Sequence, residues 1–160
     1  MYQIEKITVD DNPILAMIIR SVMTEFGAVG EGTSILDPEV DKLEQYYSED
    51  RHQFYKLATV DNQLVGCGGY APLKGGDGSV CELRKMYFLP EARGKGWGGK
   101  FLTHCIEAAR SDGFKSMYLE TLKSMTAANG LYNKFGFKEL SCTVGDTGHH
   151  ACDAYYSLDL

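Results

Sequence analysis

Hydrophobic residues near the start of the chain follow a two-residue period and then a helical period. Residues 2–9 alternate between apolar and polar side chains and are rich in β-formers, which predicts a first strand. Pro13 fits the first turn of a helix, with Asp11 or Asn12 as the cap, and apolar residues then recur at helical spacing. Gly27 interrupts this pattern, so we predict that the first helix ends there.

The middle of the chain shows a short helical pattern followed by two strand-like runs. Asp37 and Pro38 repeat the cap-then-proline signature ahead of a short apolar stripe, which predicts a second, short helix. Residues 52–60 and 64–73 are rich in β-formers, and the few residues between them suit the turn of an antiparallel hairpin. A glycine-rich turn then leads into a fourth predicted strand at 81–89.

The second half of the chain predicts a strand–helix–strand unit and three further elements. Apolar residues keep one helical face from Trp97 to Ala109, and a strand follows it. Such a connection joins parallel neighbouring strands with a right-handed crossover. We therefore predict one α/β domain over residues 1–160, with a mixed sheet of about seven strands. Its last elements are a strand at 115–121, a helix at 124–135 with Ser124 as candidate cap, and strands at 137–144 and 152–160.

Composition and charge narrow the class of protein. The 160 residues are 44% hydrophobic and carry a formal net charge of −6, which is typical of a soluble globular domain and argues against a nucleic-acid-binding surface. No apolar run approaches the roughly 18 residues that cross a bilayer, and no charged-then-apolar leader opens the chain. The five cysteines are odd in number and widely spaced, as expected of reduced thiols. We therefore expect a cytoplasmic protein that binds neither nucleic acid nor membranes.

A glycine-rich stretch stands at the start of the long second-half helix. Arg93 is followed by four glycines within residues 94–99, which let the backbone approach a ligand closely and turn several N–H groups toward it. The helix that follows adds the positive end of its dipole. From Arg84 to Lys100 the chain has five cations and a single carboxylate, Glu91. We interpret this stretch as a cradle for phosphate or pyrophosphate, and the alternative is an ordinary solvated loop.

Two motifs in this order resemble those of the GNAT superfamily of acyl-CoA-dependent N-acetyltransferases. Arg93, Gly96 and Gly98 match its Arg/Gln-x-x-Gly-x-Gly/Ala signature, and residues 131–137 match its usual helix end, LYxxxGF. The order of the predicted elements agrees with the family over nearly the whole chain. The chain departs from the family pattern at Met125, where an asparagine is frequent, and Trp97 fills a position more often held by a smaller aliphatic residue.

The resemblance implies a fold and a cosubstrate. The sheet would be mostly antiparallel, with helices on both faces and with the fourth and fifth strands splayed apart. Acetyl-CoA, or coenzyme A, would lie in this gap, with its pantetheine amides bonded to the backbone of the fourth strand as an added strand would be. Its pyrophosphate would meet the N–H groups of residues 94–99. The residues expected to bind it are Met86, Tyr87, Phe88, Arg93, Gly94, Lys95, Gly96, Trp97, Gly98, Gly99 and Ser124.

Glu82 is the candidate base. An alkyl amine with a pKa of about 10.4 is mostly protonated at neutral pH and must lose a proton before it attacks a thioester. Glu82 stands near the start of the fourth strand, where an inward carboxylate would face the acetyl end of the cosubstrate. The resemblance also implies a catalytic glutamate in this region in several family members. The alternative is a structural glutamate paired with Arg84 or Lys85.

Tyr132 is the candidate acid for the leaving thiolate, and Met86 is the candidate oxyanion contact. A phenol with a pKa of about 10 can donate to a thiolate whose conjugate acid has a pKa of about 8.5. Adjacent helix positions point about 100° apart, so we expect Leu131 to face the core and Tyr132 to face the gap, with core packing of Tyr132 as the alternative. The backbone N–H of Met86, exposed by a local bulge, would bind the oxyanion.

The acceptor is the least determined part of the site. We expect the primary amine of a small molecule or a peptide, next to Phe26, Tyr70 and His149, and homodimer formation stays open. We expect no metal, because no second cluster of ligands accompanies His149 and His150. His104 points off the apolar face of its helix and is expected to be exposed to solvent.

Two other functions fit parts of the sequence. Residues 94–99 also satisfy the G-x-G-x-x-G fingerprint of dinucleotide-binding folds, and Glu120 lies about 20 residues further on. Residues 89–93 separate the preceding strand from the first glycine, however, and only one strand–helix–strand unit is visible. The second alternative is a GNAT-like module that binds acyl-CoA without turnover, and the presence of both Glu82 and Tyr132 argues against it.

Overall fold

The predicted strands form one sheet that runs through the whole chain. A computed structural model describes residues 1–160 and contains seven strands in the spatial order β1-β2-β3-β4-β5-β7-β6. The strands are β1 (Tyr2–Lys6), β2 (Gln53–Thr59), β3 (Leu64–Pro72), β4 (Val80–Phe88), β5 (Ser116–Thr121), β6 (Lys138–Leu140) and β7 (Ala154–Asp159). Neighbouring strands are antiparallel except β4 and β5, which are parallel as predicted.

Four α-helices connect the strands at the predicted places. They are α1 (Asn12–Glu25), α2 (Leu43–Tyr46), α3 (Trp97–Ser111) and α4 (Thr126–Lys134). The short second helix is divided, because Pro38–Asp41 forms a 3₁₀ turn before α2 begins. The prediction of Ser124 as a helix cap is wrong, because Met125 precedes α4 and no side chain caps its first turn.

The last two strands are shorter than predicted. β6 has three residues and β7 has six, and residues 141–153 form a loop between them. Gly145 and Gly148 adopt positive φ angles of 71° and 78° in this loop, a conformation that does not continue a strand. The loop returns to the sheet, where the Val144 N–H donates to the Tyr118 hydroxyl of β5 at 3.1 Å.

The two faces of the sheet bury two separate apolar clusters. On one face, α3 packs against Cys81 and Leu83 of β4 and against Met117 and Leu119 of β5. On the opposite face, α1 packs against residues that include Phe54 of β2. Each fully buried large apolar side chain contributes about 1.5–3 kcal/mol to folding, so both clusters hold the helices firmly on the sheet.

Alternation along β4 and β5 places two carboxylates on the α1 face. Cys81 and Leu83 are buried toward α3, so Glu82 between them points the opposite way. Glu120 follows the buried Leu119 of β5 and points to the same side for the same reason. Glu82 lies opposite Tyr118 in the parallel register, two residues before Glu120. Both carboxylates therefore lie on one side of the β4–β5 junction.

A β-bulge interrupts β4 opposite the glycines of β3. The register shifts between Cys67 and Gly69, so that Lys85 and Met86 of β4 together oppose Gly68. Lys85 adopts a positive φ of 52°, and a Cβ on Gly68 would come within 3.0 Å of the Met86 Cα. The bulge expected at Met86 is therefore present, and the missing side chain of Gly68 makes room for it.

The parallel strands β4 and β5 pair only at their beginnings. Val80–Glu82 of β4 lies opposite Ser116–Tyr118 of β5, and pairing ends there. The rest of β4, through Phe88, has no strand on that side. This is the splay that the family resemblance implied.

The cysteines are free thiols, as expected from their spacing. Cys67, Cys81 and Cys105 are fully buried and act as small apolar residues, whereas Cys142 is exposed and Cys152 is half-buried. No helix combines the length and apolar character needed to cross a membrane.

Two glycine substitutions test the close packing that surrounds the bulge. A Cβ at Gly69 would collide with the backbone carbonyl of Gln53 and with Phe54, whereas Gly130 lies within α4 with open space around it. We expect Gly69→Ala to lower the free energy of unfolding by about 1–3 kcal/mol because the site is overpacked. We expect Gly130→Ala to raise it by about 0.5–1 kcal/mol because alanine favours the helix. Urea unfolding measures both, and equal effects of the two variants would contradict the packing described for β3.

Candidate active site

A groove of about 270 Å³ opens where β4 leaves β5. Its lining comes from β4, the glycine-rich loop, the start of α3, α4 and the end of α1. Eight of the eleven residues expected to bind acetyl-CoA are among the residues that line it. The lining residues are Val22, Phe26, Met86, Tyr87, Phe88, Ala92, Arg93, Gly94, Gly96, Gly98, Gly99, Met125, Ala127, Ala128 and Leu131.

The glycine-rich loop forms one end of this groove. Gly94 and Gly96 adopt φ angles of 72° and 75°, which side chains other than glycine rarely take, and Gly96 caps α3. The first N–H groups of a helix have no partner within the helix, so those at the start of α3 are free to meet a ligand. An anion at this position would also gain from the helix dipole. The loop therefore has the geometry of the predicted phosphate cradle.

Arg93 is bound to the protein on two sides. Its Nε donates to the Phe88 carbonyl at 2.8 Å, and its two terminal nitrogens donate to the Glu25 carboxylate at 2.7 Å each. The guanidinium also lies 5.5 Å from the centre of the Phe26 ring. Arg93 thus joins the end of α1 to the end of β4 and fixes the width of the groove.

Three residues expected at the cosubstrate lie outside the groove lining. The Lys95 ammonium lies 4.8 Å over the Trp97 ring, and Trp97 packs against Tyr2 of β1 with their ring centres 5.5 Å apart. These contacts hold both side chains against the β1 edge of the molecule. Ser124 is exposed, and the neighbouring Met125 lines the groove instead.

A small inner cavity of about 50 Å³ adjoins the groove at the point where the strands splay. Glu82 of β4, Glu120 of β5 and His149 of the 141–153 loop lie in its wall. Tyr87 and Met125 line both this cavity and the groove, so the two spaces meet at these side chains. A ligand in the groove and a ligand in the cavity would therefore face each other across Tyr87 and Met125.

Six charged residues form a closed network beside the inner cavity, which we call the charge ring. Lys85 is its most buried member, with a side chain that is 1% exposed, and its Nζ lies 2.7 Å from Asp37 and 2.5 Å from Glu39. Arg84 donates to Glu82 at 2.7 Å and lies 3.8 Å from Glu39. The members of the charge ring, in order, are Glu82, Arg84, Glu39, Lys85, Asp37 and His149.

His149 closes the charge ring. Its Nε2 lies 2.8 Å from Asp37 Oδ2, and its Nδ1 lies 3.8 Å from Glu82 Oε2. The bulge makes the ring possible, because it interrupts the alternation of side chains between the two faces of β4. The adjacent residues Arg84 and Lys85 can therefore both reach Glu39. The ring thus draws together β4, the 3₁₀ turn before α2 and the 141–153 loop.

Ion pairing outweighs burial in setting the pKa values of Lys85, Asp37 and His149. Burial alone would lower the pKa of Lys85, but Glu39 and Asp37 raise it. Burial would raise the pKa of Asp37, but the hydrogen bond from His149 and the charge of Lys85 lower it. Burial would lower the pKa of His149, but Asp37 and Glu82 raise it. Ion pairing therefore favours the charged form of each of these three residues.

Glu120 faces the same cavity without a cation bonded to it. The Thr147 hydroxyl donates a hydrogen bond to its carboxylate. Burial raises the pKa of Glu120, and the charge of Glu82 raises it further against the opposing effect of Thr147. The sequence had indicated Glu120 only as the acidic residue of a dinucleotide fingerprint. The signal that could have found it is the alternation along β5, where Met117 and Leu119 are apolar and Glu120 therefore points to the opposite face of the sheet.

The expected orientations of Leu131 and Tyr132 are reversed. Leu131 lines the groove, whereas Tyr132 is 5% exposed and belongs to the apolar cluster under α3, where its ring packs 5.6 Å from Phe137 and 5.7 Å from Tyr156. Burial and the nearby Tyr87 phenol raise the pKa of Tyr132, which keeps its hydroxyl protonated. The 100° separation of adjacent helix positions holds, but it does not say which residue faces inward.

Other candidate residues lie apart from the inner cavity. Tyr70 is completely buried in the α3 cluster and donates to Asp112 at 2.7 Å, so its assignment to the acceptor pocket is wrong. Phe26 lines the groove and not the inner cavity. His104 is half-buried, with its ring edge-on to Tyr55 at 4.4 Å, so the expectation of an exposed side chain is also wrong.

The fold brings together three side chains that could hold a cation. Donor atoms of Glu82, Glu120 and His149 lie within 4.8 Å of one another. The sequence argument against a metal relied on the lack of a second ligand cluster near His149, and this argument is incomplete because β4 and β5 deliver two carboxylates to it. Arg84 already supplies one positive charge to Glu82 at this place.

Comparisons with known proteins agree with this arrangement. The profile of the Acetyltransferase (GNAT) family matches residues 17–137. An uncharacterized N-acetyltransferase of Escherichia coli (strain K12), YjgM, is 41% identical over 149 residues, which cover 92% of this chain and 89% of that protein.

Two solved structures share the fold. An acetyltransferase of the GNAT family from Staphylococcus aureus Mu50 superposes with a TM-score of 0.87 at 20% identity, covering 99% of each chain. YncA from Salmonella typhimurium, an acetyltransferase solved with acetyl-CoA, superposes with a TM-score of 0.77 at 18% identity and covers 99% of this chain and 94% of that one.

The raised pKa of His149 makes a pH-dependent contribution to stability. A group whose pKa is raised on folding stabilises the protein fully below its unfolded value, here 6.5, and loses this contribution as the pH rises through the folded value. We therefore expect the difference in unfolding free energy between the native chain and His149→Gln to be largest below pH 6.5 and to shrink above it. Urea unfolding across a pH series measures this difference. In an Asp37→Asn background the trend should weaken, and a difference independent of pH would contradict the assignment.

Proposed function

Because this chain belongs to the GNAT family of acetyltransferases, we propose that it transfers the acetyl group of acetyl-CoA directly to the primary amine of a small molecule or peptide, with both substrates bound at once. One observation supports this most strongly: the groove and the inner cavity meet at Tyr87 and Met125. A thioester at the end of the groove would there face an amine in the cavity.

The groove fits acetyl-CoA chemically. The glycine-rich loop offers N–H groups and a helix N-terminus to a pyrophosphate. The part of β4 beyond Glu82 has no partner strand on the β5 side, so its backbone can bond to the two amides of pantetheine. Apolar side chains such as Leu131, Ala128 and Phe88 flank the path of the chain. The acetyl-CoA bound by the Salmonella relative supports the same cosubstrate for this chain.

Glu82 would promote deprotonation of the amine. In the proposed reaction, the acceptor ammonium gives one proton to the Glu82 carboxylate through a water molecule, and the neutral amine attacks the thioester carbon. The C–N bond forms while the carbonyl electrons move to oxygen. Glu82 is 3% exposed and paired with Arg84 at 2.7 Å, which fixes its position and favours a relay through water. The proton leaves to solvent after the transfer.

Met86 and Tyr132 would stabilise the two negative charges that develop during the reaction, on the carbonyl oxygen and on the leaving sulfur. The Met86 N–H at the bulge would donate to the oxyanion, since a bulge turns a backbone group away from the strand ladder. When the C–S bond breaks, its electron pair goes to sulfur, and the Tyr132 hydroxyl protonates the thiolate. The Tyr132 ring is buried in the α3 cluster, but its phenol is close enough to that of Tyr87, where the groove and the cavity meet, for Tyr87 to raise the pKa of Tyr132. Tyr132 then recovers a proton from the acetylated nitrogen, so the phenol is restored and coenzyme A leaves as a thiol.

The competing functions have less support. A dinucleotide fold needs several parallel strand–helix–strand units, whereas β4 and β5 are the only parallel pair in this sheet. A non-catalytic acyl-CoA sensor would not need a cavity with two carboxylates next to the thioester end of the groove. Free thiols at all five cysteines support the cytoplasmic location that we propose for the enzyme.

Gly98→Leu tests the cosubstrate site. Gly98 lines the groove, its φ is not in the left-handed region, and its Cβ would make ordinary contacts of 3.6 Å with Phe88, so the fold should tolerate a side chain there. The larger leucine side chain would occupy the groove. We expect the variant to fold and to bind acetyl-CoA at least about tenfold more weakly, a loss of about 1.4 kcal/mol.

Calorimetric titration and thermal melts measure this effect. The native chain should gain about 2.7 kcal/mol of stability at 100 times the Kd of acetyl-CoA and should not respond to NAD. Gly130→Leu is the control, because Gly130 is a helical glycine with open space around it and lies outside the groove. Unchanged binding to Gly98→Leu, or melting that responds only to NAD, would refute the cosubstrate site.

Tyr132→Phe tests the proposed acid. The change removes one hydroxyl and almost no volume, so we expect acetyl-CoA binding to persist while kcat falls on the order of 10²-fold. Tyr156→Phe is the matched control, because Tyr156 packs on Tyr132 in the same cluster and has no proposed catalytic role. If chemistry is rate-limiting and Tyr132→Phe has the same kcat as the native chain, Tyr132 is not the acid and serves only in core packing.

A further inference from the structure

The two carboxylates of the inner cavity have unequal electrostatic partners. Glu82 receives a hydrogen bond from Arg84 at 2.7 Å and belongs to the charge ring. Glu120, on the other splayed strand, accepts a hydrogen bond from Thr147, which is neutral. The other titratable groups that line this cavity are Arg84, Lys85 and Tyr87 of β4 and His149 and Cys152 of the 141–153 loop. The two cations of β4 are already paired within the charge ring. His149 is bonded to Asp37 at 2.8 Å, so its charge is already shared with another carboxylate.

Glu120 is a half-buried carboxylate that has no cation bonded to it. Isolated buried charges are costly, and natural sites compensate them with an ion partner or a bound ligand. Glu120 lies in a wall of the cavity that meets the cosubstrate groove, and one of its carboxylate oxygens lies within 4.8 Å of a carboxylate oxygen of Glu82 and of a ring nitrogen of His149. A small cation placed there would contact two carboxylates and stand next to the thioester end of the groove.

We infer that Glu120 binds the protonated amino group of the acceptor, and that the enzyme therefore selects alkyl amines that arrive as ammonium ions. This inference rests on the proposed acetyl transfer and assigns the acceptor class to it. Glu120 holds the ammonium on the β5 side while Glu82, on the β4 side, takes the proton. A neutral amine or an alcohol would leave Glu120 without its partner.

The volumes and linings of the inner cavity and of an outer cavity beside it indicate the size and polarity of the acceptor. The inner cavity, at about 50 Å³, has room for an ammonium group and little more. An outer cavity of about 210 Å³ shares Glu82, Arg84 and His149 with it and continues to the exposed Lys74. Eight of the nine residues that line the outer cavity are not hydrophobic. The acceptor therefore has a slender alkyl-ammonium end and a polar body.

A substitution that removes the charge of Glu120 but keeps its shape separates this role from a structural one. A panel of polar alkyl monoamines, consisting of ethanolamine, 3-aminopropan-1-ol, 4-aminobutan-1-ol and 5-aminopentan-1-ol, first identifies the best acceptor. The alcohol with a hydroxyl in place of its amino group then serves as a competitive inhibitor. In Glu120→Gln we expect the KM of the amine to rise on the order of 10- to 100-fold, the effect of losing one charged hydrogen bond. The Ki of the alcohol should stay within about threefold, because the alcohol has no charge to lose.

Glu107→Gln is the control for a change of net charge. Glu107 lies on the exposed side of α3, outside the groove and both cavities, so its removal should leave the KM and the Ki unchanged. The inference is overturned if Glu120→Gln leaves the KM of the amine unchanged, or if KM and Ki rise together as a general disturbance of the pocket would cause.

Failure of the inference and failure of the proposed function give different results. If the native chain acetylates weakly basic aromatic amines but none of the alkyl amines, acetyl transfer stands and the role of Glu120 falls. If no amine of either kind raises the release of coenzyme A above the rate measured without amine, the proposed function itself falls. Activity that is lost with EDTA and restored by Mg²⁺ or Zn²⁺ would show that a metal occupies this position and would also overturn the inference, which expects no effect of EDTA.

Discussion

The early end of pairing between β4 and β5 is the constraint on which the rest of the structure depends. The two strands share three residue pairs and then separate, although both continue as strands. The bulge at Lys85 and Met86 turns β4 at this place, and the glycine opposite it leaves the space that the turn requires. If β4 and β5 had stayed paired along their whole length, β5 would have occupied the space of the groove. The divergence instead leaves an unpaired edge of β4 in a groove bordered by α1, α3 and α4.

The charge ring explains how this opening tolerates polar groups beside two apolar clusters. The positive φ of Lys85 costs roughly 1–2 kcal/mol, and burying its ammonium would cost more without partners. Asp37 and Glu39 neutralise it at 2.7 and 2.5 Å, and Arg84 compensates Glu82 in the same network. Removing one partner of a buried pair typically costs about 3–5 kcal/mol. The ring therefore fixes the walls of the inner cavity before any ligand binds.

Sequence reasoning predicted the elements better than the contacts, for physical reasons. Helical and strand periods are local, so the order of elements and the glycine-rich loop ahead of α3 could be predicted from neighbouring residues. The hydrogen bond between Asp37 and His149 spans 112 positions, and no local pattern indicates such a pair. The buried position of Lys85 was missed because a bulge breaks the alternation from which burial is inferred.

The same limit applies to side-chain direction on helices. The LYxxxGF motif correctly indicated where α4 ends, but Leu131 lines the groove and Tyr132 enters the core. Helical geometry gives the angle between neighbouring side chains and not the rotation of the helix on the sheet. Likewise, the glycine spacing predicted the loop, whereas the contact of Trp97 with Tyr2 depends on β1, which lies far away in the sequence.

The central claim is that the cosubstrate groove and the acceptor cavity meet at the splay of β4 and β5. A crystal structure of the chain with coenzyme A tests this most directly. We expect the pyrophosphate against residues 94–99, pantetheine amides bonded to β4 beyond Glu82, and the sulfur at the junction of Tyr87 and Met125, facing the cavity of Glu82 and Glu120. Coenzyme A bound elsewhere, or bound in the groove with its sulfur directed away from that cavity, would contradict the account.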